Sequence, residues 1–194
     1  MASIKSVCVY CGSSNRVDPR FLDAASELGR LMGKAGLELI YGGGRVGLMG
    51  RVADGVLAEG GRVVGIIPGH LHQREVAHPS VSELLVVETM HERKQLMAER
   101  ADAFVVLPGG YGTLDEMFEI ITWRQLGLHD KPLVLADLHG YWAPLATLLD
   151  QIIEAGFAQA ECRKLYRTVT SVAEILPALN EAQPPRIAVD SKWM

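Results

Sequence analysis

Short apolar segments alternate along the chain with longer amphipathic ones. Continuous apolar runs predict strands at 7–10, 37–41, 62–67, 84–87, 104–107 and 133–136, with a further short strand near Thr168. These runs do not alternate between apolar and polar residues, which is typical of a parallel sheet that is covered on both faces. We therefore expect an α/β fold, a Rossmann-like, doubly wound and mainly parallel sheet of about seven strands with helices on both faces.

Between the predicted strands, apolar residues recur at helical spacing. Asp18 followed by Pro19 predicts the start of the first helix, which ends near Gly36. Further helices are predicted at 48–59, 90–101, after Thr113, at 141–155 and at 172–180, and the segment 68–79 is predicted to be a loop. We expect residues 1–180 to form a single Rossmann-like domain and residues 181–194 to form a surface tail.

Composition and charge narrow the class of protein. The 194 residues are 48% apolar and 22% charged, which is enough for a full hydrophobic core. The net charge of −4 argues against a nucleic acid polymer as partner, but it allows one small phosphorylated ligand. No apolar run is long enough to cross a membrane, and the first residues lack the pattern of a signal peptide. We therefore expect a cytoplasmic protein without a membrane partner.

The three cysteines fit a reducing compartment, because their number is odd. Cys8 and Cys11 have the C-x-x-C spacing of a redox pair. In an extended strand the Cα atoms of such a pair lie roughly 10 Å apart, beyond the limit of ~7 Å for a disulfide. We therefore expect Cys8 to be a small, buried apolar residue.

Small residues follow three of the predicted strands, at 11–14, 42–47 and 108–113. In a doubly wound fold these strand ends meet at one edge of the sheet, where N–H groups at helix starts bind anions. Ser13 and Gly43 are candidate ligand contacts in the first two segments. The G-x-G-x-x-G pattern of 42–47 lacks the acidic residue about 20 positions later that a dinucleotide site has. A tight turn packed on the sheet explains the pattern as well as a dinucleotide does, and we favour an intermediate role, a contact with one phosphate or ribose.

A glycine-rich segment precedes the helix predicted after Thr113. Gly109, Gly110 and Gly112 lack a Cβ where a phosphate would approach, and Gly112 and Thr113 offer N–H groups and a hydroxyl. Glu116 stands three residues after Thr113, the spacing of a capping box in which the carboxylate accepts from the N–H of the cap residue. The spacing alone slightly favours this capping role over a role in a ligand site.

The helix predicted at 90–101 carries two cations near its start. Thr89 and Glu92 again have the spacing of a capping box. Arg93 falls on the apolar stripe of the helix, and Lys94 flanks that stripe. A guanidinium that faces the core needs an anion. This anion is either a ligand or the carboxylate of a structural ion pair, and the sequence leaves both open.

Three histidines and one glutamate lie in the predicted loop at 68–79, namely His70, His72, His78 and Glu75. Such a cluster could hold a metal ion, but none of the usual zinc-binding spacings is present. We therefore expect solvated histidines and no metal.

Three motifs together resemble those of the LOG ("Lonely Guy") family. They are Pro-Gly-Gly-Tyr-Gly-Thr-Leu-Asp-Glu at 108–116, Met-His-Glu-Arg-Lys at 90–94 and Tyr-Gly-Gly-Gly-Arg-Val-Gly-Leu-Met-Gly at 41–50, and the resemblance extends over about residues 5–180. Members of this family, long mislabelled as lysine decarboxylases, are cytokinin riboside 5′-monophosphate phosphoribohydrolases. The resemblance implies a nucleotide-binding domain that hydrolyses the N-glycosidic bond of N6-modified AMP, or of AMP itself, to free base and ribose 5-phosphate. It also implies that no cofactor is needed and that the protein is a homodimer with a site shared between the subunits.

The resemblance also assigns roles to residues. It implies that Glu116 stabilises an oxocarbenium-like transition state and orients or deprotonates the attacking water. Arg93 is implied to assist departure of the base or to complete the charges of the site. The other implied substrate contacts are Glu75, Lys94, Gly109, Gly110, Tyr111, Gly112, Thr113 and Thr122. The loop around Glu75 departs in part from the family's usual form, so this residue is matched less closely.

Two other functions compete with this one. A non-catalytic carrier of a nucleotide or cofactor would share the fold, but the presence of both Arg93 and Glu116 favours an enzyme. A decarboxylase would need a lysine that forms a Schiff base with pyridoxal phosphate, for which Lys94 is the candidate.

Overall fold

The computed structural model describes residues 4–72 and 77–181, and a seven-stranded sheet forms its centre. The strands are β1 (Ser6–Tyr10), β2 (Glu38–Tyr41), β3 (Val63–Pro68), β4 (Glu83–Val87), β5 (Ala103–Val106), β6 (Leu133–Ala136) and β7 (Arg167–Val169). Their order in the sheet is β4-β3-β2-β1-β5-β6-β7, and all neighbours are parallel. The prediction of a doubly wound, mainly parallel sheet of about seven strands is confirmed.

Helices cover both faces of the sheet. They are α1 (Pro19–Lys34), α2 (Gly47–Ala58), α3 (Gly69–His72), α4 (Met90–Arg100), α5 (Tyr111–Gln125), α6 (Ala143–Glu154) and α7 (Ile175–Asn180), with 3-10 turns at Leu138–Gly140, Ala160–Leu165 and Val172–Glu174. The helices α1, α2 and α7 pack on one face, and α4 and α5 pack on the other. The sheet therefore separates two hydrophobic clusters.

Strand β1 shows why the strands lack alternating polarity. Val7 and Val9 contact the cluster beneath α1 and α2, whereas Cys8 and Tyr10 contact the cluster beneath α4 and α5. Because both faces are covered, every residue of β1 is buried, and polar residues are disfavoured on either side. Cys8 and Cys11 are buried and free, as predicted for Cys8.

The structure confirms some predicted boundaries and corrects others. Asp18 caps α1 as predicted, and its Oδ1 accepts from the N–H of Arg20 at 3.0 Å. The described parts of the segment 68–79 are more structured than the predicted loop. They contain the short helix α3, and Ala77 forms an isolated antiparallel bridge with Gly44.

Some predictions concern residues outside the described ranges. Glu75 is one of them, and so is the predicted tail apart from Glu181. The single domain over residues 1–180 and the tail over residues 181–194 stay predictions. In the described part of the chain, no helix is both long enough and apolar enough to cross a membrane.

Candidate active site

The carboxyl ends of β1 and β5 meet where the order of the strands reverses. The chain proceeds from β1 outward to β4 and then returns to the other side of β1 to form β5. The loops after these two strands are joined by a hydrogen bond, which the N–H of Gly12 donates to the carbonyl oxygen of Pro108 at 3.0 Å. Open α/β sheets bind ligands in the crevice at such a switch point. A cavity of about 230 Å³ lies here, and residues of both loops line it.

The start of α5 forms one side of this cavity. Gly110 is the N-cap residue, in an extended conformation, and no side chain caps the helix. Among the described residues, the N–H groups of Tyr111, Gly112 and Thr113 have no hydrogen-bond partner. A Cβ added at Gly110 or Gly112 would meet no atom within 4 Å. Free N–H groups beside open space suit an anion such as a phosphate.

The capping box predicted for Thr113 and Glu116 is wrong. The helix begins at Tyr111, so Thr113 lies inside the first turn and is buried there. Its hydroxyl occupies the place that a Cβ on Gly109 would take, so the glycine makes room for the threonine. Glu116 does not cap the helix and instead lines the cavity.

At the start of α4 the predicted capping is confirmed for Thr89. Its hydroxyl accepts from the N–H of Glu92 at 3.0 Å. The Glu92 carboxylate reaches one residue beyond the cap and accepts from the N–H of Glu88 at 2.9 Å. The next two residues, Arg93 and Lys94, are both only 7% exposed. The predicted inward position of Arg93 is confirmed.

Backbone carbonyl groups hold the Arg93 guanidinium at the cavity wall. Its Nε donates to the carbonyl oxygen of Ile66 at 3.2 Å, and its Nη2 donates to that of Gly42 at 3.3 Å. A Cβ at position 42 would overlap Nη2, so only glycine leaves room for the guanidinium. Nη2 also lies 3.9 Å from Oε1 of Glu116. Arg93 therefore has a carboxylate partner and at the same time lines the cavity.

The Glu116 carboxyl is largely withdrawn from water, with 11% of its side chain exposed. Burial raises its pKa from the usual 4.5 to about 7, an effect that Arg93 opposes and Asp115 reinforces. Within the described chain no group donates a hydrogen bond to this carboxyl, so both oxygens are available to a ligand or a water. A carboxyl with a pKa near 7 exchanges its proton at neutral pH, which suits a general acid or base.

Lys94 forms ion pairs beside the cavity and is absent from its described wall. Its Nζ lies 3.0 Å from Oδ2 of Asp115 and 3.2 Å from Oε1 of Glu119. Burial lowers the pKa of Lys94, but hydrogen bonds to the two carboxylates outweigh burial and raise the pKa above its usual value. A Schiff base forms from the neutral amine, so these ion pairs argue against the decarboxylase hypothesis.

Apolar side chains line much of the remaining cavity wall, and they belong to Val9, Met49, Leu71, Met90 and Met97. Thioethers are flexible and polarizable, so three methionines form a wall that adapts to the shape of a ligand. Met90 also contacts the guanidinium, since its Sδ lies 3.7 Å from Nη1 of Arg93. The cavity thus offers both charged and apolar surfaces.

The structure brings only part of the predicted site together. Five predicted residues line the cavity, namely Ser13, Arg93, Gly112, Thr113 and Glu116. Within the described chain, six others are not in its wall, namely Gly43, Lys94, Gly109, Gly110, Tyr111 and Thr122. Tyr111 is 93% exposed, and Thr122 also lies at the surface. A ligand that touched these two side chains would have to extend beyond this cavity.

Sequence reasoning missed Gly42 and Asp115, which both line the cavity. Asp115 stands directly before Glu116 in the glycine-rich motif, so its position alone could have suggested it. Gly42 is the first residue of the G-x-G-x-x-G pattern, but that pattern does not indicate its contact with Arg93, which is 51 positions away.

His78 is buried rather than solvated, which corrects the prediction for this histidine. Its Nδ1 accepts from the N–H of Ser80 at 3.3 Å, so Nε2 carries the hydrogen that points to Oδ1 of Asp54 at 2.9 Å. His70 and His72 lie in α3. Within residues 4–72 and 77–181, no group of three or more His, Cys, Asp or Glu side chains is arranged to hold a metal ion.

Comparisons with known proteins link this site to a family. The family model described as "Possible lysine decarboxylase" matches residues 49–179. A probable cytokinin riboside 5′-monophosphate phosphoribohydrolase of Oryza sativa is 43% identical over 188 residues, which cover 97% of this chain and 77% of the rice protein. A cytokinin riboside 5′-monophosphate phosphoribohydrolase of Arabidopsis thaliana is 41% identical over 191 residues, which cover 98% of this chain and 90% of that protein.

Solved structures show the same fold at lower sequence identity. The Moco carrier protein of Chlamydomonas reinhardtii is 22% identical, with a TM-score of 0.68 over 91% of this chain and 95% of that chain. The molybdenum cofactor binding protein of Rippkaea orientalis is 21% identical, with a TM-score of 0.68 over 91% of this chain and 96% of that chain. The family model and the plant relatives establish the family as well as the fold. They show that this chain belongs to the LOG family, the family of the cytokinin riboside 5′-monophosphate phosphoribohydrolases.

Proposed function

We propose that this protein hydrolyses the N-glycosidic bond of cytokinin riboside 5′-monophosphates, that is N6-modified AMP or AMP itself, and releases the free base and ribose 5-phosphate. The observation that carries the proposal is the approach of Arg93 to Glu116 at 3.9 Å beside the open start of α5. A carboxyl that titrates near neutral pH thus lies about one helical turn beyond an anion site. Relatives at 41% and 43% identity bear the name of this activity.

The 5′-phosphate binds at the start of α5. The N–H groups of Tyr111, Gly112 and Thr113 donate to its oxygens, and the partial positive charge of the helix start adds to the attraction. The open space at Gly110 and Gly112 supports this placement. Ser13, on the opposite loop of the crevice, offers a further hydroxyl donor.

The ribose lies with its C1′ beside Glu116. Water adds to C1′ while the bond from C1′ to the base nitrogen breaks, and the electrons of that bond leave with the base. Ionised Glu116 stabilises the positive charge that develops on the ribose ring and accepts a proton from the water, and the departing base takes up this proton. Arg93 balances the carboxylate charge and assists departure of the base.

The base lies against the apolar wall that contains Met49, Met90 and Met97. An isopentenyl group on N6 would bury its carbon atoms against these side chains, at a gain of roughly 0.8 kcal/mol for each buried CH₂. We therefore expect N6-isopentenyl AMP to be cleaved with a higher kcat/KM than AMP.

We also propose a homodimer in which the two subunits share the site. Tyr111 and Thr122 match positions that the family motifs assign to the substrate, yet neither lies in the cavity wall of its own chain. A ligand bound to the other subunit would give both side chains a partner. Light scattering after size-exclusion chromatography tests this. A mass of twice 21.1 kDa supports the dimer, and a mass of 21.1 kDa contradicts it.

We further propose a cytoplasmic location, which the free state of Cys8, Cys11 and Cys162 supports.

Chromatography of the products tests the activity. The purified protein is incubated separately with AMP, with isopentenyladenosine 5′-monophosphate and with the matching riboside that lacks the phosphate. Release of base from the monophosphates but not from the riboside would support the proposal, and the two rates would give the base preference. Binding of the monophosphates without any release of base would favour the alternative function, a non-catalytic carrier.

Two variants connect this activity with the two proposed catalytic residues. Glu116→Gln keeps the volume of the side chain but removes its charge, so we expect kcat to fall roughly 10²- to 10⁴-fold while nucleotide binding is retained. Arg93→Ala should also lose turnover. Glu99→Gln changes an exposed carboxylate on α4 and serves as the matched control. A rate near that of the wild type in Glu116→Gln would remove Glu116 from the catalytic role.

A further inference from the structure

Lys94 and two carboxylates form a second charged cluster beside the pair of Arg93 and Glu116. Helix α4 presents the arginine and the lysine in succession. Helix α5 presents Glu116 to the arginine, and Asp115 and Glu119 to the lysine. Because Asp115 and Glu119 precede and follow Glu116 on the same helix, Lys94 attaches the helix segment that carries Glu116 to α4.

We propose that Lys94, Asp115 and Glu119 form a positioning triad, which holds Glu116 beside Arg93 and sets the charge around it. In this arrangement Lys94 does not contact the substrate. The catalytic meaning of the triad rests on the proposed function, but its geometry and its effect on the charge of Glu116 do not.

Three carboxylate oxygens lie within 3.3 Å of the Lys94 ammonium group. An ammonium group has three N–H donors. Nζ lies 3.3 Å and 3.0 Å from the two carboxylate oxygens of Asp115 and 3.2 Å from Oε1 of Glu119. A substrate phosphate would have to compete with these two carboxylates for the Lys94 ammonium group, whose side chain is only 9% exposed. The geometry therefore favours the positioning role over the substrate contact that the family motif implies.

The triad also changes the charge balance at Glu116. Burial is the largest influence on the pKa of this carboxyl and raises it to about 7. Of the charged groups on the two helices, Arg93 and Lys94 lower the pKa, and Asp115 and Glu119 raise it. The triad carries one positive and two negative charges, so as a whole it favours the protonated form of Glu116.

The groups that face Glu116 from the sheet do not alter this balance. They are the side chains of Cys8 and Tyr10 on β1 and of Cys11 in the loop after it. Burial raises the pKa of each of these groups well above its usual value, so all three are neutral at physiological pH. Among residues 4–72 and 77–181, the charge that acts on Glu116 therefore comes from α4 and α5.

This arrangement predicts opposite effects for the two kinds of triad member. Removal of the Lys94 charge should raise the pH at which Glu116 ionises, and removal of the Glu119 charge should lower it. When both charges are removed, the two effects should largely cancel. These directions are the same whether the protonated or the ionised form of Glu116 is the active one.

Carbon-13 NMR of the 194-residue protein with labelled glutamate tests the triad without relying on activity. The carboxyl resonance of Glu116 is identified by its loss in Glu116→Gln. We expect its titration midpoint to rise by about 1 pH unit in Lys94→Met, to fall by a similar amount in Glu119→Gln, and to return close to the wild-type value in the double variant. Lys34→Met removes an exposed lysine on α1 and should leave the midpoint unchanged.

The same variants are then assayed for release of base from AMP over the same pH range. We expect the limb of the kcat/KM profile that belongs to Glu116 to move with the NMR midpoint, while KM changes less than about threefold. A KM that rises about tenfold in Lys94→Met with an unmoved midpoint would assign Lys94 to the substrate and overturn the proposal. A lower Tm with unmoved midpoints would also overturn it, because the cluster would then be a structural ion pair. Wild-type protein that releases no base would contradict the proposed function, and the NMR midpoints would still decide on the triad.

Discussion

Two glycine-rich loops of this protein each connect a buried strand to a helix, but they use their backbone differently. At the start of α2 the N–H groups are bonded within the chain. That of Gly47 donates to Oδ1 of Asn15 at 2.9 Å. Those of Leu48 and Met49 donate to the carbonyl oxygen of Gly12 at 2.9 Å and 3.4 Å. At the start of α5 the corresponding N–H groups have no partner in the described chain.

The glycines of the two loops differ in the same way. A Cβ at Gly47 would overlap the backbone of Ser14, whereas a Cβ at Gly110 or Gly112 would meet no atom within 4 Å. The first loop uses glycine so that two backbone segments can pack closely, and the second uses it so that space stays open for a ligand. A glycine cluster after a strand therefore indicates an anion site only when the N–H groups behind it are free.

Among substitutions of the glycines that follow strands, the largest effect should come from Gly42→Ala, because close packing at Gly42 positions Arg93 in the site. The added methyl group would displace the Arg93 guanidinium from the carbonyl groups of Gly42 and Ile66. Displacing a catalytic group by about 1 Å costs roughly 100-fold in rate, so we expect kcat to fall roughly 100- to 1000-fold. Steady-state kinetics with a nucleoside monophosphate measure this.

The control for Gly42→Ala is its affinity for ribose 5-phosphate, measured by calorimetry. This affinity should stay close to that of the wild type, because the start of α5 is unchanged. An unchanged kcat would mean that the carbonyl group of Gly42 does not fix the catalytic position of Arg93.

The second effect is on the pH dependence of stability and comes from the carboxyl group of Glu116 on α5. Its pKa is raised from 4.5 to about 7 in the folded protein, so the unfolded chain releases this proton at lower pH than the folded one. Protonated Glu116 should therefore contribute its full stabilisation, relative to Glu116→Gln, below pH 4.5. This contribution to the free energy of unfolding should be lost as the pH rises through 7, by roughly 3 kcal/mol in total. Urea unfolding of both proteins between pH 4 and pH 9 tests this. Parallel stability curves would contradict the raised pKa.

The elements of the fold follow from local signals, which is why the sequence predicts them well. Asp18 and Pro19 determine the start of α1, which follows them directly in the sequence. The run of apolar residues in β1 by itself predicts a strand that is buried on both faces. The position of Arg93 on the inner face of α4 likewise follows from helical spacing.

The details of the site depend on contacts between distant parts of the chain. The carbonyl groups that hold Arg93 belong to Ile66 and Gly42, which lie 27 and 51 positions away. The occupied N–H groups of α2 depend on Asn15, 32 positions before Gly47. The predicted capping box failed for a different reason. The spacing was suitable, but Gly110 takes the cap position and starts the helix two residues before Thr113.

A smaller effect, on stability alone, should distinguish Gly47 at the start of α2 from Gly60 after its end. Gly47 and Gly60 both have left-handed backbone conformations, with φ of 67° and 73°. Only Gly47 also lies against another backbone segment, since a Cβ at Gly60 would meet nothing within 4 Å. We expect Gly60→Ala to lower the free energy of unfolding by about 1 kcal/mol and Gly47→Ala to lower it by about 2 kcal/mol more. Equal losses in urea unfolding would mean that the backbone of Ser14 moves to accommodate the added Cβ without lowering the free energy of unfolding.

The smallest effect should come from Gly112→Ala, which tests the open loop. A methyl group here meets no protein atom and the backbone is not left-handed, so the free energy of unfolding should change by less than about 1 kcal/mol. The same methyl group would enter the space proposed for the phosphate, and we expect KM for AMP to rise about tenfold while kcat stays within about twofold. Competitive inhibition by the unphosphorylated riboside is the control and should change little, because the riboside does not use the anion site. If KM for AMP were unchanged, the phosphate would bind elsewhere, and the free N–H groups of α5 would distinguish the two loops in structure but not in function.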